Sequence, residues 1–303
     1  MTTIVFPGQG SQTAGMVKDF YDNFKKAKLI FEEIEDYTKI DLKNIIFKNT
    51  DNRLNLTQYT QISIFAASFV IFNTYCSVKD LDNESINIMM GHSLGEYTAL
   101  ACSNKISLKD CCLILKKRGE LMNNAVAPNV TGMAALIGKD SNVIQHIIDK
   151  NNLKIEIAND NSNMQIVISG SIDEIKKSKE VFLNNEIKKF VPLNVSAAFH
   201  SKYMIDAQKE LSHDIENLIF NNNEIKIISN YDAGIYSDTL SIKKNLQNQM
   251  ANKVNWTQSI RNLENNGENK IIEIGPGKVL SGLIKRISNN FDIISINEIS
   301  DLE

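Results

Sequence analysis

The sequence has few of the residues that build disulfide frameworks, metal sites or redox centres. Its 303 residues include four cysteines, and no two of them form a Cys-x-x-Cys pair. Cys76, Cys102, Cys111 and Cys112 all lie in apolar segments with helical spacing, so we expect buried, reduced thiols in a cytoplasmic protein. The sequence therefore predicts neither a metal ion nor a redox cofactor.

Excess charge, targeting signals and long apolar runs are also lacking. The net charge of −3 argues against a nucleic-acid-binding protein that works through bulk charge. No basic segment precedes the first apolar run, so no signal peptide is expected. The longest apolar stretch, residues 62–72, is interrupted by Ser63 and Ser68 and is too short to span a bilayer. Its spacing predicts a buried amphipathic helix and no membrane association.

Glycine is scarce too, yet two of the 14 glycines flank one serine in Gly91-His-Ser-Leu-Gly95. A strand-like run precedes this segment, and residues compatible with a helix follow it. The order of strand, Gly-x-Ser-x-Gly and helix is typical of a nucleophile elbow, in which the serine occupies a sharp, strained turn. Ser93 is therefore the candidate nucleophile.

A serine nucleophile needs a general base, and the chain offers four histidines. His92 neighbours the serine, so in an elbow its side chain points away from Ser93. His146 and His213 lie on the polar faces of predicted helices. His200 follows a predicted strand, where the catalytic residues of α/β sheets collect. We therefore assign the base to His200, with a helix-capping role as the alternative.

A third group should orient the imidazole of the base. Between Ser93 and His200 the large domain supplies chiefly Asp110 and Glu120, and neither of them ends a predicted strand. The sequence therefore favours a dyad whose histidine is oriented by a neutral group.

Arg118 lies on the apolar stripe of a helix that the cap at Ser107 predicts over residues 108–123. Two interpretations stay open at this point. The guanidinium either reaches the surface along the helix or is held near a pocket, where it requires an anionic partner.

The order of predicted elements indicates an α/β protein with an insertion. Strands alternate with helices over most of the chain, which implies a mostly parallel sheet. Residues 128–196 instead follow the order β-α-β-β-α-β of a ferredoxin-like fold. We predict a large domain, residues 1–127 and 197–303, that carries a small inserted subdomain, residues 128–196.

Two glycine-containing loops resemble nucleotide-binding loops only superficially. After Gly8 and Gly10, the third glycine of a dinucleotide-binding turn is replaced by Thr13. In the other loop, Lys278 is followed by Val279 where a phosphate loop has serine or threonine.

Six segments, in their order along the chain, resemble the malonyl-CoA:acyl carrier protein transacylase family. They are residues 6–12, 91–97, 117–119, 195–201, 230–233 and 273–278. The resemblance implies an α/β-hydrolase-like large subdomain with a ferredoxin-like insert. It also implies a ping-pong reaction that feeds fatty acid biosynthesis. The serine takes malonyl from malonyl-CoA and passes it to the phosphopantetheine thiol of an acyl carrier protein.

The resemblance also implies roles for individual residues. Ser93 would be the nucleophile and His200 the base. Arg118 would bind the free carboxylate of malonyl. A phenylalanine at the position of Phe199 occurs in family members that use a malonyl rather than a branched acyl group. The remaining implied roles are an oxyanion hole from the backbone N–H groups of Gln9 and Leu94, and a histidine-orienting pair formed by the main-chain carbonyl of Gln249 with support from Asn230.

Two other functions share the same motif, namely a serine hydrolase and a non-catalytic scaffold. An arginine beside the acyl group argues against a simple esterase, and the retained Ser93 and His200 argue against a scaffold. An acidic carrier protein would dock on basic residues, although the alternative for each lysine is a solvated helix face. The candidates are Lys116, Lys117, Lys278, Lys285 and Arg286. We expect a monomer.

Overall fold

A computed structural model describes residues 2–79 and 86–303. The strands are β1 (Thr2–Phe6), β2 (Ile86–Gly91), β3 (Thr131–Ile137), β4 (Ile155–Ser162), β5 (Gln165–Ser171), β6 (Lys189–Pro192), β7 (Lys226–Ile228), β8 (Ile235–Tyr236), β9 (Lys270–Ile274) and β10 (Asp292–Ile296). The helices are α1 (Lys18–Asn23), α2 (Lys25–Thr38), α3 (Thr57–Lys79), α4 (Leu94–Cys102), α5 (Leu108–Asn124), α6 (Ser141–Lys150), α7 (Ile172–Asn184), α8 (Ile205–Glu216), α9 (Thr239–Gln247), α10 (Trp256–Asn265) and α11 (Val279–Ile287).

The larger sheet has six strands in the order β10-β9-β1-β2-β7-β8. All neighbours pair in parallel except the short β8, which pairs antiparallel with β7. The central strands read as nearly continuous apolar runs because helices cover both faces of the sheet. The predicted α/β architecture with a mostly parallel sheet is confirmed. The carboxyl ends of β1, β2 and β7 lie side by side at one edge, which is where sites form in such sheets.

The smaller sheet is antiparallel, with the order β4-β5-β3-β6. This order and the two helices α6 and α7 match the predicted ferredoxin-like arrangement. Its separate core includes Ile144 and Phe182, which pack under the sheet. The exact boundaries of the insert, residues 128 and 196, stay a prediction.

Helix α3 differs from the predicted amphipathic helix because it is buried on nearly every side. It has 23 residues, so by length and composition it could cross a membrane, but 72% of its apolar window is buried inside the molecule. Ser63 and Ser68 interrupt the apolar run in sequence, yet both are fully buried. A helix with apolar residues on all its faces is expected to be buried, and α3 is the central helix of the core.

Phe24 adopts an extended conformation and separates α1 from α2. Helix α8 ends at Glu216. The edge strands β8 and β10 were not predicted, since one has two residues and the other has no continuous apolar run.

Candidate active site

The elbow forms where β2 ends and α4 begins. Ser93 has φ 54° and ψ −105°, a strained conformation for a residue with a side chain. The flanking glycines are required by close packing. A Cβ on Gly91 would lie 2.1 Å from the backbone carbon of Gly95, and a Cβ on Gly95 would lie 2.2 Å from the carbonyl oxygen of Phe6. The strand–turn–helix context predicted from the sequence is therefore present.

Ser93 and His200 are brought together although 107 positions separate them in the chain, with Oγ and Nε2 2.9 Å apart. The Nδ1 atom of His200 lies 3.1 Å from the carbonyl oxygens of both Gln249 and Asn252. Because carbonyls only accept, Nδ1 carries the proton and Nε2 presents its lone pair to the serine hydroxyl. The imidazole is thus oriented by neutral groups, and the contribution of Asn252 was not predicted.

The electrostatic environment keeps His200 uncharged. Burial lowers the pKa of its imidazole to about 3, and the positive charge of Arg118 acts in the same direction. The other histidines lie apart from Ser93 Oγ. His92 contacts Asn161 of β4 at 2.8 Å and packs against the Trp256 ring, whereas His146 and His213 are exposed on their helices.

Arg118 is fully buried, so its guanidinium does not reach the surface. Its Nη2 donates to Ser93 Oγ at 3.0 Å and to Gln249 Oε1 at 2.9 Å, and its Nη1 donates to Gln61 Oε1. The guanidinium also lies 5.2 Å from the centroid of the Tyr97 ring. Burial lowers the pKa of Arg118. Within residues 2–79 and 86–303 it makes no ion pair, so the buried guanidinium beside Ser93 has no directly bound anion.

Glu96, in the first turn of α4, was not singled out from the sequence. Its buried Oε2 accepts from the backbone N–H of Asn230 at 3.0 Å and from Gln249 Nε2 at 2.8 Å. Burial raises the pKa of this carboxyl to about 7. An acidic side chain in an otherwise apolar helix was the available signal, but the first turn of a helix is also an ordinary place for a solvated glutamate.

Asn230 contacts the elbow and not the histidine. Its Oδ1 accepts from the Ser93 N–H at 2.6 Å, and its Nδ2 donates to the Gly91 carbonyl at 2.7 Å. No bond to His200 occurs in the described part of the chain. The expectation that Asn230 supports the histidine is therefore corrected, because this side chain braces the turn that carries Ser93.

The two backbone N–H groups predicted for an oxyanion hole belong to adjacent elements. Gln9 follows β1, and Leu94 is the first residue of α4. Neither N–H has an acceptor among the described residues. The loop lies directly against the elbow, since a Cβ on Gly8 would be 2.4 Å from the carbonyl oxygen of His92.

Two connected cavities meet the site. A small one of about 90 Å³ contains Ser93 and His200, with Phe199 in its wall. A cleft of about 450 Å³ adjoins it and shares Gln9, His92 and Asn159 with it. Lys, Arg, Asp and Glu are absent from the described lining of the cleft, whereas amide side chains are numerous. They are Gln9, Gln12, Asn55, Asn159, Asn161, Gln165 and Asn194.

The candidate basic residues fall into two groups. Lys278, Lys285 and Arg286 lie on or beside α11, whose apolar residues Val279 and Leu283 line the cleft. Lys116 and Lys117 lie on α5, bonded to the Thr38 carbonyl and to Glu210 of α8, respectively. Among the residues the structure describes, no three His, Cys, Asp or Glu side chains form a group that could hold a metal ion. The absence of a cofactor stays a prediction.

Comparison with known proteins places these features in a family. The acyl transferase domain family matches residues 3–296. A malonyl CoA-acyl carrier protein transacylase of Bacillus subtilis (strain 168) is 34% identical over 303 residues, which cover 99% of this chain and 94% of that protein. A polyketide biosynthesis malonyl CoA-acyl carrier protein transacylase of the same organism is 37% identical, with 96% and 98% covered.

Solved structures agree with the sequence relatives. An acyl-carrier-protein-S-malonyltransferase from Bartonella henselae has a TM-score of 0.94 at 34% identity, covering 99% of this chain and 96% of that one. A malonyl-transacylase in complex with its type II PKS acyl-carrier protein also has a TM-score of 0.94, at 31% identity, with 99% and 97% covered.

Proposed function

Because the chain belongs to the malonyl CoA-acyl carrier protein transacylase family of acyl transferases, we propose that it carries malonyl from coenzyme A to an acyl carrier protein. The transfer is ping-pong and proceeds through a malonyl ester of Ser93. The observation that carries this proposal is the placement of Ser93 Oγ between His200 Nε2, at 2.9 Å, and Arg118 Nη2, at 3.0 Å. One serine thus has both a base and a cation for an anionic acyl group.

The first half-reaction forms the ester. Nε2 of His200 takes the hydroxyl proton as Oγ of Ser93 attacks the thioester carbonyl. The N–H groups of Gln9 and Leu94 stabilise the resulting oxyanion. When the tetrahedral intermediate collapses, the carbon–sulfur bond breaks and the imidazolium returns its proton to the leaving thiol of coenzyme A.

The second half-reaction reverses these steps with a different thiol. The carrier's phosphopantetheine thiol gives its proton to His200, and its sulfur attacks the ester carbonyl. Collapse breaks the bond to Ser93 Oγ, which regains the proton. The two carbonyl acceptors on Nδ1 hold the imidazole in the tautomer that both halves require.

Arg118 selects the acyl group. A malonyl carboxylate supplies the anionic partner that the buried guanidinium lacks, and planar guanidinium geometry allows two parallel hydrogen bonds. An acetyl group has no carboxylate and leaves the cation unpaired. This argument disfavours a general serine hydrolase, which has no use for a buried cation next to its acyl group.

The amide-lined cleft suits the pantetheine arm that coenzyme A and the carrier share. Such an arm carries amide groups of its own, which the Asn and Gln side chains of the cleft can pair with. The solved relative described with its acyl-carrier protein supports the choice of partner. One relative is named for polyketide biosynthesis, whereas the other is named for its transacylase activity alone. For this chain we propose fatty acid synthesis, a monomer and a cytoplasmic location.

Intact-mass measurement tests the proposal. Mixing with malonyl-CoA is expected to give a malonyl adduct that passes to holo carrier protein and that does not form in Ser93→Ala. Arg118→Ala should lose about 2–5 kcal/mol of malonyl preference over acetyl, because a buried charge pair is removed. Failure to form the adduct would overturn the proposal, and loss of malonyl to water faster than to the carrier would identify a hydrolase.

A further inference from the structure

Glu96 is a buried acid that the proposed chemistry does not use. The Oε2 atom of its carboxylate accepts hydrogen bonds from Gln249 Nε2 at 2.8 Å and from the Asn230 N–H at 3.0 Å. Burying a carboxyl group costs desolvation free energy. The further contacts of Gln249 indicate what this buried group does.

The side chain of Gln249 connects Glu96 to Ser93 and Arg118. Its Nε2 also donates to the Ser93 carbonyl at 2.9 Å, and its Oε1 accepts from Arg118 Nη2 at 2.9 Å. The amide can make all three bonds in one orientation only. If it were reversed, its NH₂ group would face the guanidinium donors, and its oxygen would face the Ser93 carbonyl and the Glu96 carboxylate.

Glu96 enforces this orientation in either protonation state. The backbone N–H of Asn230 is a donor, so Oε2 of Glu96 must act as an acceptor and is available to the Gln249 NH₂ group. A proton on the carboxyl group would sit on Oε1. The polar and charged groups around Glu96 are Gln249 and Asn230 in contact, with Arg118 and Asp232 further away.

We propose that Glu96 is a positioning residue for malonyl selectivity, which fixes the Gln249 amide and through it holds the Arg118 guanidinium against Ser93. This inference rests on the proposed function. It assigns the selectivity to a chain of three side chains, Glu96–Gln249–Arg118, of which only the last touches the acyl group.

The test compares kcat/KM for malonyl-CoA and acetyl-CoA in two replacements of Glu96. Glu96→Leu removes the acceptor and leaves two buried donors unpaired, so the malonyl-to-acetyl ratio should fall roughly tenfold or more. Glu96→Gln still presents an oxygen to both donors and should keep the ratio within about threefold. Equal ratios in Glu96→Leu and the unmodified enzyme would overturn the proposal.

A matched control separates positioning from general loss of stability. Glu268 is also buried and accepts from two side chains, Thr3 Oγ1 at 3.2 Å and Asn87 Nδ2 at 2.7 Å. It has no bond to Gln249. Glu268→Leu should therefore lower the unfolding temperature without changing the acyl preference. A selectivity loss of equal size in this control would overturn the proposal.

A second variant tests the proposal even if Glu96→Leu does not fold. Gln249→Leu keeps the backbone carbonyl that contacts His200 but removes the amide, so it should reduce the ratio as much as Glu96→Leu does. The double variant should be no worse than either single one, because both act through the same amide. Additive losses, or an unchanged ratio in Gln249→Leu, would contradict the inference. Absence of any malonyl adduct in the unmodified enzyme would instead refute the proposed function.

Discussion

At the scale of single residues, the charge state of His200 determines how the protein responds to pH. An ordinary histidine has a pKa of 6.5, whereas burial lowers the pKa of this one to about 3. A base must be unprotonated to accept the serine proton. Because its pKa is lowered, His200 holds that form throughout the range in which an exposed histidine would gain a proton.

The rate of Ser93 acylation should therefore stay flat as pH falls from about 7.5 to about 5. Stopped-flow or quenched mass measurement of the malonyl adduct gives this rate. Glu96 has a pKa of about 7, so the profile should be recorded in Glu96→Gln as well. A half-loss of rate near pH 6.5 in both forms would show that His200 titrates normally and would contradict the expectation.

At the scale of elements, the elbow depends on the approach of two backbones. Gly95 lies where α4 crosses the end of β1, and a Cβ there would lie 2.2 Å from the Phe6 carbonyl oxygen. A backbone atom cannot move aside as a flexible side chain can. The strained φ of Ser93 is maintained by this packing and by the bond from its N–H to Asn230.

Gly95→Ala should thus lower the free energy of unfolding by at least about 2 kcal/mol and suppress acylation, because the elbow must open. Gly282→Ala is the control, since no atom lies within 4 Å of its Cβ position in α11. Alanine in that helix should be neutral or stabilise by up to about 1 kcal/mol. Chemical denaturation measures both. Equal stability of the two variants would refute the steric argument.

The elbow and the inserted subdomain could be predicted because their signals are local. A strand, two glycines around a serine and a helix are adjacent in the chain, so the pattern identifies Ser93 before any tertiary contact is known. The second carbonyl on His200 could not be found this way, since any residue in place of Asn252 offers the same group. The contacts of Glu96 and of the Asn230 side chain depend on which loops the sheet brings together. Spacing along the sequence does not contain that information.

At the scale of the whole molecule, strands of the small sheet and loops that follow strands of the large sheet surround the cleft, and the basic residues of α11 lie beside it without lining it. Strand β4 of the small sheet is joined to the segment before α10, where Asp160 N donates to the Val254 carbonyl at 3.0 Å. Helix α11 lies at the same cleft, and its Arg286 contacts Gln165 of β5 at 2.8 Å. Lys117 instead faces α8, where it pairs with Glu210.

Charge reversal should distinguish these two groups of basic residues. Lys285→Glu combined with Arg286→Glu is expected to raise the KM for holo carrier protein severalfold, because an acidic carrier loses its complementary surface. Formation of the malonyl adduct from malonyl-CoA, which needs no carrier, supplies the internal control and should be unchanged. Lys117→Glu should leave both measurements as they are.

The rise in KM caused by the α11 variant should shrink as salt is added, since exposed charges are screened over about 10 Å at 0.1 M. An unchanged KM in the α11 variant would remove that helix from the docking surface, and a raised KM in Lys117→Glu would move the surface to the α5 face.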